Sequence, residues 1–315
     1  MPPFRPPLPG RPNNNRTLLT LTPLNILSRS YYHRALPRQA IQHRFNFTTT
    51  TTRTTSSSVN PSEISHFDAL ASEWWNPYGS SRLLHLMNPL RHDFINACLL
   101  SSQPSPSKNL RFLDIGCGGG IFAESAARRP EVISVTAIDP SSEVLAVAKA
   151  HARQDPLFTL QQPEKLEYLN KSIEELEVPK SPEEQYDILS LFEVIEHVDR
   201  PATFLKSCMP FVKPGGWIVM STMARTWTSW FTTKVMAEDV LRIVPRGTHE
   251  WSKYINEKEL REFFEKQKQE GAWGSFRAMG VIYVPGFGWR EVEGGERWGN
   301  YFFAARKDSI SPPPS

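Results

Sequence analysis

Residues 191–198, LFEVIEHV, place two carboxylates and an imidazole within five positions at the end of an apolar run. Glu193, Glu196 and His197 follow the spacing Glu-x-x-Glu-His, which puts all three on one face if the segment is helical. Such a set suits three roles: ligands of a divalent metal ion, a general base with its orienting acid, or the polar mouth of a buried strand. The stretch alone does not choose among them.

A second reactive pattern is the glycine-rich stretch LDIGCGGG, which contains Asp114, Gly116, Gly118 and Gly120. It lies where an apolar strand turns into a helix, and glycines there let a ligand approach the amides at the helix start. A nicotinamide-binding loop needs Gly-x-Gly-x-x-Gly, but the sixth position from Gly116 is Ile121. The acid before the loop would repel a pyrophosphate and accept a hydrogen bond from an ammonium group. The pattern therefore disfavours a dehydrogenase.

Asp139 ends the next predicted strand. An acid at this position can accept hydrogen bonds from both hydroxyls of a ribose. The alternative is structural, because Asp139 precedes Pro140 and is suited to capping the following helix. The residue supports a nucleoside site only as part of an ordered set with the glycine stretch.

The elements that must position these residues alternate between β-branched runs and helical stretches, which is typical of a parallel sheet covered by helices. Strands are predicted at 110–116, 132–139, 166–172, 186–193 and 215–222, and helices at 120–129, 141–152 and 202–212. One or two further helices are predicted within 62–100, and residues 275–306 are predicted to supply the last strands. The order predicts an α/β, doubly wound, Rossmann-like fold.

The charge is divided unevenly along the 315 residues. Residues 1–62 contain eight Arg, no Lys and no acid, whereas the remainder carries 28 basic and 33 acidic residues. An Arg-rich, Ser/Thr-rich leader without acids is typical of a mitochondrial transit peptide, although its Pro/Thr-rich runs also fit a disordered tail. The acidic remainder, 63–315, argues against nucleic acid as a partner.

Six segments together resemble the ubiquinone-biosynthesis O-methyltransferase family, whose members are class I S-adenosylmethionine-dependent methyltransferases. They are NPSEISHFDALASEWWNPYG, LLHLMNPLRHDFI, DIGCGGGIFAES, FEVIEHVDRP, VKPGGWIVMST and EDVLRIVPRGTHEWSKYI, within residues 60–306. The resemblance implies one methyltransferase domain over 63–315, with a mostly parallel sheet and an antiparallel last strand. It also implies methylation of ring hydroxyls of polyprenyl-dihydroxybenzoate and of demethylubiquinol on the matrix side of the inner mitochondrial membrane, with a multiprotein biosynthetic complex as a candidate partner.

The resemblance also assigns residues to the cofactor, S-adenosylmethionine. Its amino-acid tail replaces a pyrophosphate, which accounts for the acid beside the glycines. The implied binding residues are Arg91, Asp114, Gly116, Gly118, Asp139 and Phe192. Arg91 would contact the carboxylate end of the cofactor, Asp139 its ribose, and Phe192 its adenosyl pocket.

Glu193, Glu196 and His197 fall on the family's magnesium ligands. A metal ion would stabilise the phenolate that attacks the methyl group, because a phenol with a pKa of about 10 is mostly protonated near neutral pH. In the competing interpretation no metal is present, His197 is the general base and Glu196 orients it. In the third, Glu196 and His197 only cap the loop after the fourth strand.

An insertion at about 226–251 combines apolar, aromatic and basic residues at near-helical spacing, which is typical of a helix lying on a membrane surface. Trp227, Trp230 and Phe231 are its predicted membrane-facing residues, and His249 is a candidate residue on the substrate side. The alternative is that this stripe packs on the protein's own core or on a dimer partner. No apolar run is long enough to span a bilayer.

Two rival functions follow from the same residues. The first is a methyltransferase acting on another matrix small molecule or on a protein, because the fold alone does not name a substrate. The second is a scaffold without activity in a biosynthetic complex. The complete set of cofactor residues argues against the scaffold.

The leader gives a direct prediction. Residues 1–62 fused to a fluorescent protein should carry it into mitochondria, because import reads an Arg-rich segment without acids. Microscopy with a mitochondrial marker measures this, and the same fusion with all eight Arg changed to Gln is the matched control. A wild-type fusion that stays cytosolic would contradict the prediction.

Overall fold

The fold was analysed in a computed structural model, which describes residues 58–102, 108–225, 254–267, 272–297 and 299–308. Its strands are β1 (Leu110–Ile115), β2 (Val132–Asp139), β3 (Leu166–Asn170), β4 (Tyr186–Phe192), β5 (Val212–Met223), β6 (Trp273–Val284), β7 (Gly288–Val292) and β8 (Asn300–Lys307). Its helices are α1 (Pro61–Leu70), α2 (Arg82–Ser101), α3 (Ile121–Ala127), α4 (Ser142–Ala152), α5 (Pro201–Cys208) and α6 (Glu257–Glu265). No helix in these ranges is long and apolar enough to cross a membrane.

The eight strands form one sheet in the order β3-β2-β1-β4-β5-β8-β6-β7. Strands β1 to β5 pair in parallel, whereas β8 is antiparallel to β5 and to β6, and β7 is antiparallel to β6. The predicted doubly wound fold with an antiparallel last strand is confirmed. The order reverses between β1 and β4, and ligands of such sheets bind beyond the carboxyl ends of the strands at this point.

The core has two layers because side chains along each strand point alternately to the two faces of the sheet. On β1, Phe112 joins the cluster under α2 and α3, whereas Leu113 joins the cluster under α5 and α6. Both side chains have no exposed surface. A sheet covered on both faces leaves only its edges and strand ends for binding.

Several boundaries differ from the sequence prediction, among them those around β4 and before β5. The predicted helix 202–212 ends at Cys208, and Met209–Phe211 forms a separate 3₁₀ turn before β5 begins at Val212. The predicted fourth strand ends at Phe192, because Glu193 adopts a left-handed backbone conformation with φ 58°. Only Ile195–His197 beyond it is helical, as a 3₁₀ turn. The prediction that Glu193, Glu196 and His197 share one helical face is therefore wrong.

Candidate active site

The glycine stretch forms the turn from β1 to α3 beside the end of β2. Gly116, Gly118 and Gly120 all have positive φ, at 65°, 54° and 86°, which side chains rarely adopt. The amide of Gly116 donates to the Ile138 carbonyl at 2.8 Å, which joins the turn to β2. Glycine is required here for conformation as well as for close approach.

A pair of tryptophans covers this turn. A side chain at Gly118 would collide with the Trp74 ring, 2.8 Å from its nearest atom. The Trp75 indole N–H donates to the Gly119 carbonyl at 2.8 Å, and its ring stacks on His151 at 3.3 Å. The aromatic pair was visible in the sequence, but its role as a cover over the glycine turn was missed.

Asp139 holds the glycine turn in place. Its carboxylate accepts from the Gly118 amide and from the Ser141 amide, both at 2.9 Å. The cap of α4 is Ser141, whose hydroxyl accepts from the Val144 amide at 3.0 Å. Burial raises the pKa of Asp139 despite these two amides. The residue that caps α4 is therefore Ser141. Asp139 lines the cavity instead.

Asp114 and Arg91 place opposite charges at the same end of the cavity. Asp114 is 3% exposed and accepts from the Ser190 hydroxyl at 2.6 Å, and burial raises its pKa to about 7. Arg91 is 4% exposed, with its guanidinium carbon 4.8 Å from the centre of the Phe192 ring. Its Nε is buried without a hydrogen-bond partner. This pair matches the ammonium and carboxylate of an amino acid, so the residues fit S-adenosylmethionine.

The two glutamates at the end of β4 bind to hydroxyls of β5. The Ser221 hydroxyl donates to Glu193 at 2.6 Å, and the Thr222 hydroxyl donates to Glu196 at 3.1 Å. Glu196 is 5% exposed, and burial followed by the charge of Glu193 raises its pKa to about 7. The negative charge of Glu193 thus favours the protonated form of Glu196.

His197 pairs with a residue that the sequence analysis did not single out. Its Nδ1 lies 2.9 Å from the carboxylate of Glu63 on α1, and its ring contacts the edge of Phe67. Burial opposes the charged imidazole, but the hydrogen bond that His197 donates to Glu63 and the charges of Glu196, Glu63 and Glu193 outweigh it and raise the pKa of His197. The expectation that Glu196 orients His197 is corrected, since Glu63 makes that hydrogen bond.

The predicted metal ligands do not converge in this arrangement. Over the described ranges, no group of three or more His, Cys, Asp and Glu side chains is placed to hold a metal ion. Glu193, Glu196 and His197 each face a different partner, so as arranged they do not fit a three-ligand site. Trp227, Trp230, Phe231 and His249 lie outside the described residues.

One cavity of about 660 Å³ joins these features. Its walls include Asp114 and Asp139 as well as Glu63, Glu196 and His197. Pockets of this size bury small ligands and enclose their reacting atoms. The geometry thus places a site for a nucleoside carrying an amino acid beside an imidazole–carboxylate pair.

Comparisons with known proteins agree with this geometry. A family model described as "Methyltransferase domain" matches residues 83–267. The ubiquinone biosynthesis O-methyltransferase of Candida albicans, named as mitochondrial, is 38% identical over 291 residues, covering 79% of this chain and 86% of that protein. The chain belongs to the ubiquinone biosynthesis O-methyltransferase family. A second relative of that name, also mitochondrial, from Schizosaccharomyces pombe is 42% identical over 72% of this chain and 77% of its own.

Solved structures agree with the fold of this family member. Magnesium protoporphyrin IX methyltransferase from Synechocystis PCC 6803, with bound SAH, aligns with a TM-score of 0.53 at 13% identity, over 78% of this chain and 98% of that one. The plantazolicin methyltransferase BpumL in complex with SAH aligns with a TM-score of 0.51 at 15% identity, over 78% and 97%. The family model and the relatives together show that this chain is an S-adenosylmethionine-dependent methyltransferase.

Substitutions of Asp114 and Asp139 should have different effects on ligand binding. Asp114→Asn should weaken S-adenosylhomocysteine binding on the order of ten- to a hundredfold, the worth of a hydrogen bond to a charged group. It should leave 5′-methylthioadenosine, which lacks the amino-acid tail, unaffected. Asp139→Asn should weaken both, because the family resemblance assigns it to the ribose and because its carboxylate holds the glycine turn. Calorimetry measures the four constants.

The affinity for S-adenosylhomocysteine should also depend on pH, in a direction set by Asp114. Because the pKa of Asp114 is raised to about 7, the carboxylate must lose a proton before it accepts the ligand's ammonium group. Affinity for S-adenosylhomocysteine should therefore fall as pH drops from 7.5 to 6, and Asp114→Asn should flatten that slope. Equal losses for both ligands in Asp114→Asn would contradict the assignment.

Proposed function

We propose that this enzyme methylates ring hydroxyls of polyprenyl-dihydroxybenzoate and of demethylubiquinol. The observation that carries the proposal is a single cavity lined by the cofactor residues and by the Glu63–His197 pair. The names of its relatives place them in ubiquinone biosynthesis. Two ring methylations are chemically alike, since each needs a phenol hydroxyl beside the same methyl donor.

Binding falls to the residues at the carboxyl ends of β1, β2 and β4. S-adenosylmethionine supplies an electrophilic methyl group on a sulfonium sulfur. Asp114 and Arg91 hold the charged amino-acid tail, and Asp139 accepts from the ribose hydroxyls. Methyl transfer is an in-line displacement, so fixing the donor from both ends contributes most through alignment.

The proposed acceptor of the phenol proton is His197. With Nδ1 bound to Glu63, Nε2 would take this proton, and bound S-adenosylmethionine would supply the methyl group that the ring oxygen receives. Glu63 fixes the tautomer and strengthens the base, which is consistent with the raised pKa of His197. Glu196 adds negative charge near the imidazole from its site on Thr222.

Magnesium is part of what the family resemblance implies, and here it stays a prediction. The three expected ligands do not converge as arranged, so no step is assigned to a metal. The place to test for magnesium is the pair of neighbouring carboxylates, Glu193 and Glu196, of which Glu196 has a raised pKa. Chelation and readdition of the ion decide it.

The proposed location is the matrix side of the inner mitochondrial membrane, with the enzyme bound peripherally. The relatives named as mitochondrial and the Arg-rich leader support the compartment. Docking through 226–251, membership of a multiprotein complex and the domain bounds 63–315 remain predictions. A methyltransferase acting on another matrix small molecule or on a protein is the main rival.

A methyl-transfer assay tests the function directly. The purified enzyme with S-adenosylmethionine should methylate a dihydroxybenzoate carrying a short prenyl tail, and mass spectrometry should find one methyl group on ring oxygen. Parallel reactions with chelator, and with Mg²⁺ restored, measure any metal requirement. S-adenosylhomocysteine binding without turnover of any dihydroxybenzene would contradict the proposal.

The base assignment is tested by substrate acidity. His197→Ala should lower kcat for an ordinary phenol by about 10²- to 10⁴-fold, and by much less for a nitro-substituted phenol that is already ionised. Glu63→Gln should show the same selectivity to a smaller degree. Asp68→Asn is the matched control. Asp68 lies on the same helix as Glu63, but its side chain binds Ser141 and does not contact His197. Equal losses on both phenols would remove the base role.

A further inference from the structure

Six residues form an apolar part of the cavity wall. It is formed by Leu83, Leu84 and Met87 on α2 and by Tyr283, Pro285 and Trp289 on the hairpin of β6 and β7. We call these six residues the apolar wall. The cofactor and His197 are each bound by polar residues outside this set. The six residues are therefore not needed to hold either of them.

The hairpin is fixed against α2 by specific contacts. Tyr283 and Trp289 are opposite each other across β6 and β7, with their ring centres 5.6 Å apart in an edge-to-face arrangement. The indole N–H of Trp289 donates to the carbonyl of Leu83 at 3.0 Å. The polar atom of Trp289 is thus satisfied by the protein, and its ring offers the cavity an apolar surface.

The apolar wall reaches the protein surface at the turn of the hairpin. Pro285 is exposed at the start of this turn, and Phe287 at its tip is 70% exposed. Phe287 thus extends the apolar surface of the hairpin to the solvent. Neither Phe287 nor any of the six residues of the apolar wall carries a charge.

We propose that the apolar wall binds the first isoprene units of the substrate's polyprenyl tail, and that Leu84 and Trp289 set the preference for tailed over tail-free rings. This assignment rests on the proposed function. An isoprenoid chain is apolar along its whole length, so it gains free energy from leaving water along such a wall. The part of the tail that exceeds the cavity leaves past Phe287.

The test compares kcat/KM for two substrates: dihydroxybenzoate with a tail of two isoprene units, and the same ring without a tail. In Leu84→Asn the ratio of the two values should fall on the order of tenfold, because an amide in the wall must be desolvated against the tail. Trp289→Leu should lower the ratio in the same direction. Leu100→Asn makes the same substitution on the same helix at a side chain 74% exposed, and it should keep the wild-type ratio.

Titration with S-adenosylhomocysteine reports whether each variant is folded. If Leu84→Asn does not bind this ligand, the kcat/KM ratio of Trp289→Leu tests the assignment. A ratio that stays at the wild-type value in the folded variants overturns the assignment of the apolar wall. Wild-type enzyme that methylates neither substrate overturns the proposed function instead. The two failures are therefore distinguishable.

Discussion

The site depends on the two hydrogen bonds accepted by the half-buried carboxylate of Asp139. This carboxylate joins the ends of two neighbouring parallel strands, because it accepts from the Gly118 amide after β1 and the Ser141 amide after β2. Removing a carboxylate from water is costly, and two backbone amides offset part of that cost. With the turn fixed, Trp74 has a surface to pack on, and the cavity acquires its cover.

The glycine turn and the two acids beside it could be predicted because their positions are local. A strand, a turn and a helix follow one another within residues 110–127, so spacing alone places Asp114 and the glycines at the end of β1. Asp139 was predicted for a similar reason, since the carboxyl ends of parallel neighbours meet at one edge. The fold class followed from the same alternation of strands and helices.

Glu63 could not be predicted, because it lies 134 residues from His197 in the chain. No periodicity links a helix ahead of the sheet to a turn after its fourth strand. The prediction that Glu193 shares a helical face with Glu196 and His197 was wrong for another reason. The amide and the carboxylate of Glu193 both bind Ser221, which fixes Glu193 at the end of β4. The few residues beyond it are too short a stretch to sustain an α-helix.

The division of the sheet into a parallel and an antiparallel half has an evolutionary consequence. Asp114 and Asp139 belong to the parallel half, whereas Tyr283 and Trp289 belong to the hairpin at the far edge. With the acceptor on the apolar wall as proposed, substitutions in the hairpin would change the acceptor side while Asp114 and Asp139 stay as they are. A lineage of such enzymes is thereby free to exchange acceptors while its donor chemistry is inherited unchanged.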